Sequence, residues 1–402
     1  MSRYSRSVYG KFLLPLLVLF IADSYAIPAN SQSVTVQSSE IPVIRNESGP
    51  VCDGPVFDLI PERVIGRDSG RPEWQIFPRS VGVLAVGPDE RLYIRTSDSI
   101  IYISTTRGRL LGQFGGLGEG PGEYSESSYP FWIESDRELW INDLALFRLT
   151  RFSIDGELLG ITSYHELADD WRYLIHLRDR RFLGERTAHE NERTFQIYGL
   201  LDDDMNWSHE VVRVMSPDPS GRAYSPRPGL MVGLPYQPAY PWIESFPDGR
   251  FVLINAEEGS LAYFSVEGTP LFKVQDCFEL PKITREDRDR YLARIEARTP
   301  EYLPAARRVR FPDTMGAYTR SYGDDSGRLW LQQQRSIYNA DGEPIAYNYV
   351  IVDRNGRLLG TQTFEFEAHS IEIRDDYLYW SDNGGEDIGP RIRVYRLEPR
   401  FN

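Results

Sequence analysis

Cysteine is almost absent from this chain: its 402 residues hold two, Cys52 and Cys277. Two thiols cannot form a disulfide framework, and without histidines at matching spacing they cannot form a structural zinc site. Whether they pair with each other is left open. Lysine is as scarce, at Lys11, Lys273 and Lys282 alone. Every other basic residue is arginine, which reads as genomic codon bias and not as a binding device. The five histidines (His165, His176, His189, His209, His369) never fall in a His-Glu-x-x-His arrangement, and no Gly-x-Ser-x-Gly elbow occurs. No zinc-protease or serine-hydrolase pattern is therefore present. Positive charge is also in deficit, 45 Lys and Arg against 59 Asp and Glu, for a net charge of −14. Such a surface repels phosphate backbones and anionic lipid, so no nucleic-acid partner is expected.

Long apolar runs are missing except near the start. Arg3, Arg6 and Lys11 precede the run Phe12 to Ala22, and Ser24-Tyr25-Ala26 offers a small-x-small cleavage site. This is the three-part pattern of a secretory signal, and the run is too short to cross a bilayer as a helix. Residues 1–26 are accordingly expected to be a signal peptide and 27–52 a flexible leader. The domain then occupies 53–402, in the periplasm or outside the cell, with no membrane span once the signal is removed. No cysteine stands at the cleavage site, so no lipoprotein anchor is expected.

What the chain does have is a repeat. Val81 to Gly116 and Tyr129 to Tyr164 run in parallel: an apolar strand, an acidic turn, a strand (LYI, LWI), a polar turn, another strand, a Gly turn, then LLG. The unit recurs from Tyr240 to Val274, Tyr318 to Phe364 and Ala368 to Pro399, with a weaker copy from Trp171 to Trp207. Each copy alternates apolar and polar residues over short runs rich in aromatic and β-branched side chains, the period of strands. Asp-Gly, Glu-Gly and Asn-Gly pairs supply the positive-φ positions that tight hairpins need. A four-stranded unit of this size cannot bury both its faces alone, whereas packing such units around an axis does so. The expectation is all-β: a six-bladed β-propeller. Its last copy is one strand short, and Val56 to Gly66 is the strand expected to complete it and close the ring. Trp132, Trp140, Trp242, Trp330 and Trp380 fall at corresponding positions and are expected to pack blade against blade. One helical insertion is expected at Pro281 to Ala297, with Thr284 and Asp287 as a capping box and Tyr291, Leu292 and Ile295 on one face. Met215 to Ala239, rich in Pro and Gly, reads as an irregular loop with a Tyr-rich stretch suited to stacking on sugars or peptides.

The stretch Gly112 to Tyr124, GQFGGLGEGPGEY, resembles a glycine-rich signature of bacterial six-bladed propellers related to NHL-repeat and TolB-like proteins. Val64 to Phe77, the LYI and LWI strands and FSIDGELLG extend the likeness over the first third of the chain. The resemblance implies a periplasmic or outer-surface location and a binding or scaffolding role. As a phosphate cradle the glycine stretch fails, because no Lys-Ser/Thr follows and Glu119 and Glu123 would repel an anion. Its glycines are expected to make an inter-blade turn, with the glutamates capping N–H groups.

Aligning the turn after the second strand of each copy gives the column Thr96, Asp143, Arg186, Asn255, Gln333 and Asp382. The preceding residues are Arg95, Asn142, Glu185, Ile254, Gln332 and Ser381. If equivalent positions ring the axis, Arg95, Asn142, Arg186 and Gln333 are candidates for lining the channel. Asp143, Asn255 and Asp382 would then be candidates for a hard cation such as Ca²⁺. Propeller hydrolases resembling the gluconolactonase and paraoxonase group place a metal in the channel. Two readings follow. The first is an exported binding or scaffold protein whose loop-lined face recognises a protein, peptide or carbohydrate. The other is a Ca²⁺-dependent hydrolase, lactonase-like enzyme or lyase with its site in the channel.

Overall fold

The computed structural model describes residues 41–47, 49–52, 54–66, 69–71, 74, 81–87, 89–133, 137–164, 173–178, 180–191, 193–202, 204–215, 223–224, 231–232, 241–256, 258–275, 280–308, 311, 313–334, 337–338, 344–365, 370–382 and 390–400. Two strands, β1 (Val43–Arg45) and β2 (Phe57–Gly66), precede the first blade. Blade 1 is β3 (Val81–Val86), β4 (Arg91–Thr96), β5 (Ile100–Thr105) and β6 (Leu110–Gly115). Blade 2 is β7 (Ser128–Ile133), β8 (Glu138–Asp143), β9 (Arg148–Phe152) and β10 (Leu158–Ser163). Blade 3 has longer strands, β11 (Tyr173–Arg178), β12 (Arg181–Glu190), β13 (Arg193–Leu201) and β14 (Trp207–Met215). A short hairpin, β15 (Ala223–Tyr224) with β16 (Met231–Val232), follows; the rest of the Met215 to Ala239 loop lies outside the described residues. Blade 4 is β17 (Trp242–Ser245), β18 (Phe251–Asn255), β19 (Ser260–Phe264) and β20 (Pro270–Gln275).

The helices α1 (Arg285–Arg298) and α2 (Leu303–Ala306) come next. Blade 5 is β21 (Tyr318–Gly323), β22 (Leu329–Gln333), β24 (Pro344–Val352) and β25 (Leu358–Phe364), with the two-residue β23 (Ile337–Tyr338) beside β24. Blade 6 is β26 (Ile371–Arg374), β27 (Tyr377–Asp382), β28 (Arg391–Pro399) and, as its fourth strand, β2. The fold is therefore the six-bladed propeller that the repeat implies. The third blade extends past the copy read from sequence because β14 (WSHEVVRVM) has no LLG ending to mark it.

Six apolar clusters hold the blades, one at each interface. The interface of blades 1 and 2 is built on Tyr93, Ile101, Tyr124, Leu139 and Phe152, that of 2 and 3 on Trp140, Leu149, Phe182 and Met205. Blades 3 and 4 meet through Leu183, Tyr198, Val212 and Phe251, and blades 4 and 5 through Ile254, Tyr263, Leu329 and Val350. Between blades 5 and 6 lie Trp330, Phe364 and Trp380, with Phe57 of β2 stacked on Trp330 at 5.3 Å. The circle closes where Ile65 and Tyr379 of blade 6 meet Leu92 and Tyr102 of blade 1. Radial packing of such sheets buries both faces of each and leaves only short edges. Trp140, Trp330 and Trp380 sit in these interfaces as expected, and Trp242 packs at the margin of one.

Ring closure is antiparallel, β2 against β28, from Phe57 opposite Pro399 to Gly66 opposite Arg391. The residues ahead of β2 are engaged as well. β1 adds to the outer edge of blade 4, parallel to β20. The Asn46 amide bridges Gly356 O and Leu358 N–H on blade 5, and the N–H groups of Val51 and Cys52 bond Leu358 O and Leu359 O. Val56 N–H then bonds Thr361 O. The described residues between 41 and 56 thus form a strap across the outer edges of blades 4 and 5 before the chain enters blade 6, and those up to Cys52 fall within the segment 27–52 expected from sequence to be a flexible leader. Gly356, with φ +81°, lets the outer turn of blade 5 lie against blade 4 and the strap: a Cβ there would meet Val274 and Phe272 below 3 Å and Ile44 at 3.2 Å. Residues 1–40 and Cys277, with the signal peptide and the pairing of Cys52, lie outside the described residues.

The helix begins at Thr284, whose hydroxyl accepts from Asp287 N–H while the Asp287 carboxylate accepts from Thr284 N–H. This is the capping box expected. Its apolar face, Tyr291, Leu292 and Ile295, is buried against Tyr302, Ala305, Ala306 and Phe311 of the same insertion. Ala317 N–H bonds Ala256 O, seating the insertion on the face where chain passes from blade to blade.

Candidate functional site

Each propeller strand nearest the axis has two ends. Its first residue lies on the face of the inter-blade connections and its last on the opposite face, at the turn into the second strand. The column chosen from sequence lies on the first of these faces and one strand further out. There the polar groups are bonded within the frame. Asp143 is fully buried, and its carboxylate accepts from Ser125 N–H at 2.8 Å, from the Ser125 hydroxyl, and from the N–H groups of Ala145 and Leu146, both at 3.2 Å. Asn142 accepts from the Tyr164 hydroxyl at 2.6 Å and donates to Leu174 O at 3.5 Å. The buried Arg95 donates to the carbonyls of Ser125 and Glu126, and burial lowers its pKa.

Most of the other column members are engaged within the frame as well. The Arg186 guanidinium lies over the Trp207 ring at 4.3 Å. Asn255 Oδ1 accepts from Glu258 N–H at 3.3 Å. Gln333 sits half-buried at the end of β22, opposite Tyr318. The Asp382 carboxylate is paired with Arg391 at 2.8 Å and Arg393 at 3.2 Å. Asp143, Asn255 and Asp382 stand on blades 2, 4 and 6, each bonded inside its own blade or connection. The structure does not bring them together. Among the described residues, no group of three or more His, Cys, Asp and Glu side chains is placed to hold a metal.

The glycine stretch on this face is closed on itself. Glu123 accepts from Gly120 N–H at 2.9 Å, and Arg148 donates to the carbonyls of Glu119, Gly120 and Glu123. Tyr124 is fully buried between blades 1 and 2. The stretch is a structural junction, as its acidic residues implied.

At the opposite end of the channel the inner strands enclose a cavity of about 230 Å³. All six blades contribute: Leu84 and Val86 from β3, Phe131 from β7, His176 from β11, Glu244 and Phe246 at β17, Gly323 of β21, and Glu372 with Arg374 from β26. Two carboxyl groups dominate it. Glu244 accepts from the Ser321 hydroxyl at 2.6 Å, and Ser321 in turn accepts from Trp242 Nε1 at 2.8 Å. The Gly323 N–H donates to the same carboxyl group. Gly323 is required here because a Cβ would lie 2.8 Å from Ser245 O, so only glycine lets β21 approach β17. Even so, loss of solvent outweighs these bonds and pushes Glu244 up to about 7.

Glu372 is pushed up to about 7 by the same desolvation, with Arg374 and the Val86 N–H opposing it and the charges of Glu244 and Asp325 adding to it. Arg374 Nη1 donates to Val86 O at 3.1 Å, so both ends of the Val86 peptide are held by blade 6. His176 is stacked on Phe131 with ring centroids 4.5 Å apart. Apolar walls, two carboxyl groups poised between charged and neutral, one guanidinium and one imidazole make a site able to exchange protons and to bind a small polar molecule.

None of the seven site candidates chosen from sequence lines this cavity, and the residues that do were missed. The available signal was a charge inside an otherwise apolar first strand: WIES around Glu244, IEIR around Glu372 and LIHL around His176.

No family model and no curated protein matches the chain. Among solved structures, it is similar to a protein of Bacteroides fragilis named "Putative exported protein", at 13% identity and a TM-score of 0.52, over 89% of this chain and 99% of that one. A member of the DUF4221 family from Bacteroides vulgatus aligns over 86% of this chain and 99% of its own, at 10% identity and a TM-score of 0.47. The first likeness shows the propeller fold. The resemblance to NHL-repeat and TolB-like propellers rests on the repeat and on Gly112 to Tyr124.

Proposed function

We propose that this chain is an exported binding propeller whose ligand site is the channel cavity at the mouth ringed by the turns between first and second strands. One observation carries the reading: all six inner strands converge on a single cavity that holds the carboxyl groups of Glu244 and Glu372. Both are partly accessible and both are held near half-protonation at neutral pH. Carboxyl groups with raised pKa values in a cleft are a feature of functional sites. The size of the cavity suits a small molecule better than a peptide or an oligosaccharide. Export is supported by the pattern of residues 1–26 and by the name of the Bacteroides fragilis neighbour. No helix among the described residues is long and apolar enough to cross a membrane.

The reading is tested by screening a panel of low-mass fragments against the chain from residue 27 onward, by ligand-observed NMR. An Ala85→Phe variant, which enlarges a residue shared by the cavity wall and the interface of blades 1 and 2, serves as the control provided its melting matches the wild type. Fragments that bind the wild type and are lost in the variant support the site. Hits that bind both proteins equally, or a panel without hits, would place recognition elsewhere.

A further inference from the structure

The reading just given leaves the chemistry of the ligand open, and the cavity wall narrows it. Among the described lining residues, two carboxylates face one guanidinium and one imidazole, so with His176 neutral full ionisation leaves one negative charge uncompensated. Arg374 is already turned to Val86 O, and Ser321 and Gly323 already donate to Glu244. None of these groups supplies the missing positive charge. An anion would meet both carboxyl groups, and a neutral polyol would not relieve the excess. The remaining wall, Leu84, Pro130, Phe131, Phe246 and Pro247, is apolar and suits an alkyl chain.

We propose that the ligand is a small organic cation, a primary amine on a short apolar body, whose ammonium group is held by Glu244 and Glu372. This rests on the cavity being the ligand site. Binding then exchanges charge for charge: the ammonium group takes the place of a proton, and that proton leaves to solvent. The groups that bear on this exchange are His176 from β11, Asp325 from the turn of blade 5, and Tyr322 with Arg320 from β21. From blade 6 come Arg374 and, next to Asp325, Asp375. Asp325 raises the affinity of the site for a proton as for any other cation, and Arg374 lowers both.

The test is calorimetric titration of the chain from residue 27 onward with butylamine and 1,4-diaminobutane, with sorbitol and butyrate as neutral and anionic counterparts. Each is run at pH 8 and pH 5.5, in two buffers of different ionisation enthalpy. Amine binding at pH 8 is expected to weaken about tenfold or more at pH 5.5, where protons occupy the site, and to release protons at neutral pH. Glu244→Gln and Glu372→Gln should each weaken it to a similar degree with thermal melting retained. Sorbitol or butyrate binding as well as the amines overturns the cation assignment while leaving the cavity as the site. Amine binding that survives both substitutions, or that is indifferent to pH, also overturns it. If no probe binds while the fragment panel yields neutral hits lost in Ala85→Phe, the cation falls and the site stands; without such hits both fall.

Discussion

The two ends of the channel carry polar residues of opposite kinds. At the end where chain crosses from blade to blade, Asp143 receives four hydrogen bonds and Asp382 two arginines, so their charge is answered locally. At the other end Glu244 and Glu372 are bonded too, yet their surroundings still favour the protonated form. A buried carboxylate whose acceptor positions are filled by its own turn strengthens the frame. One that stays in conflict with its surroundings is free to respond to a ligand or to pH. Residue type does not separate the two classes; the balance of donors against desolvation does.

That contrast presupposes a closed ring, and the largest effect comes from opening it. Deleting residues 53–66 removes β2 and its whole pairing with β28, together with Phe57 and Ile65 from two blade interfaces. Loss of a single cooperative melting transition, followed by calorimetry, is the expected outcome; an unchanged transition would refute closure by this strand. Next in size, Asp143→Ala strands four donors of blade 2 and its entry loop and should cost about 3 kcal/mol by denaturant titration. A cost within error of zero would mean that this end is not the structural one.

The carboxyl groups at the opposite end should behave in reverse. A carboxyl raised from the ordinary range to about 7 holds more protons when folded than unfolded between roughly pH 4.5 and 7. Stability therefore falls as pH rises through that window and is level above it. Glu244→Gln or Glu372→Gln removes the loss, so each variant should gain about 1–2 kcal/mol on the wild type at pH 8 and little at pH 4.5. The gain is less than the full linkage value because both side chains reach the channel and because Gln cannot keep every bond. Equal differences at both pH values would show that neither group titrates as described. Smallest of all, removing residues 41–47 strips β1 from blade 4 and should lower stability by about 1 kcal/mol, read as a shift of about 1–2 °C in Tm. A larger loss would make the strap part of the core.

The architecture was legible because it is written six times. Period-2 runs, Gly turns and a missing last strand specify a closed ring without reference to any side chain's partner, and the Thr284–Asp287 capping box is local enough to be read directly. The site was not legible for a geometrical reason. Turn residues such as Asp143 and Asp382 stand out in a sequence, whereas a lumen-facing glutamate in IEIR looks like any exposed position of an alternating strand. Assigning the turn column to the axis put it one strand too far out. Only the packed ring shows that the solvent beside Glu372 is confined. The strap was missed for a related cause: residues 41–56 have no periodicity because they pair edge by edge, one or two bonds at a time.

The pairing of β2 with β28 also sets a clock. β2, the second strand to leave the ribosome or a translocation pore, is the partner of β28, so blade 6 stays unfinished until residues 391–399 are available. Contacts this remote in sequence are slow to form. A chain lacking β28 would expose the edges of β27 and β2 to proteases throughout its emergence. Chains arrested before Arg391 should accordingly be digested rapidly, and resistance should arrive abruptly with the final segment, not blade by blade.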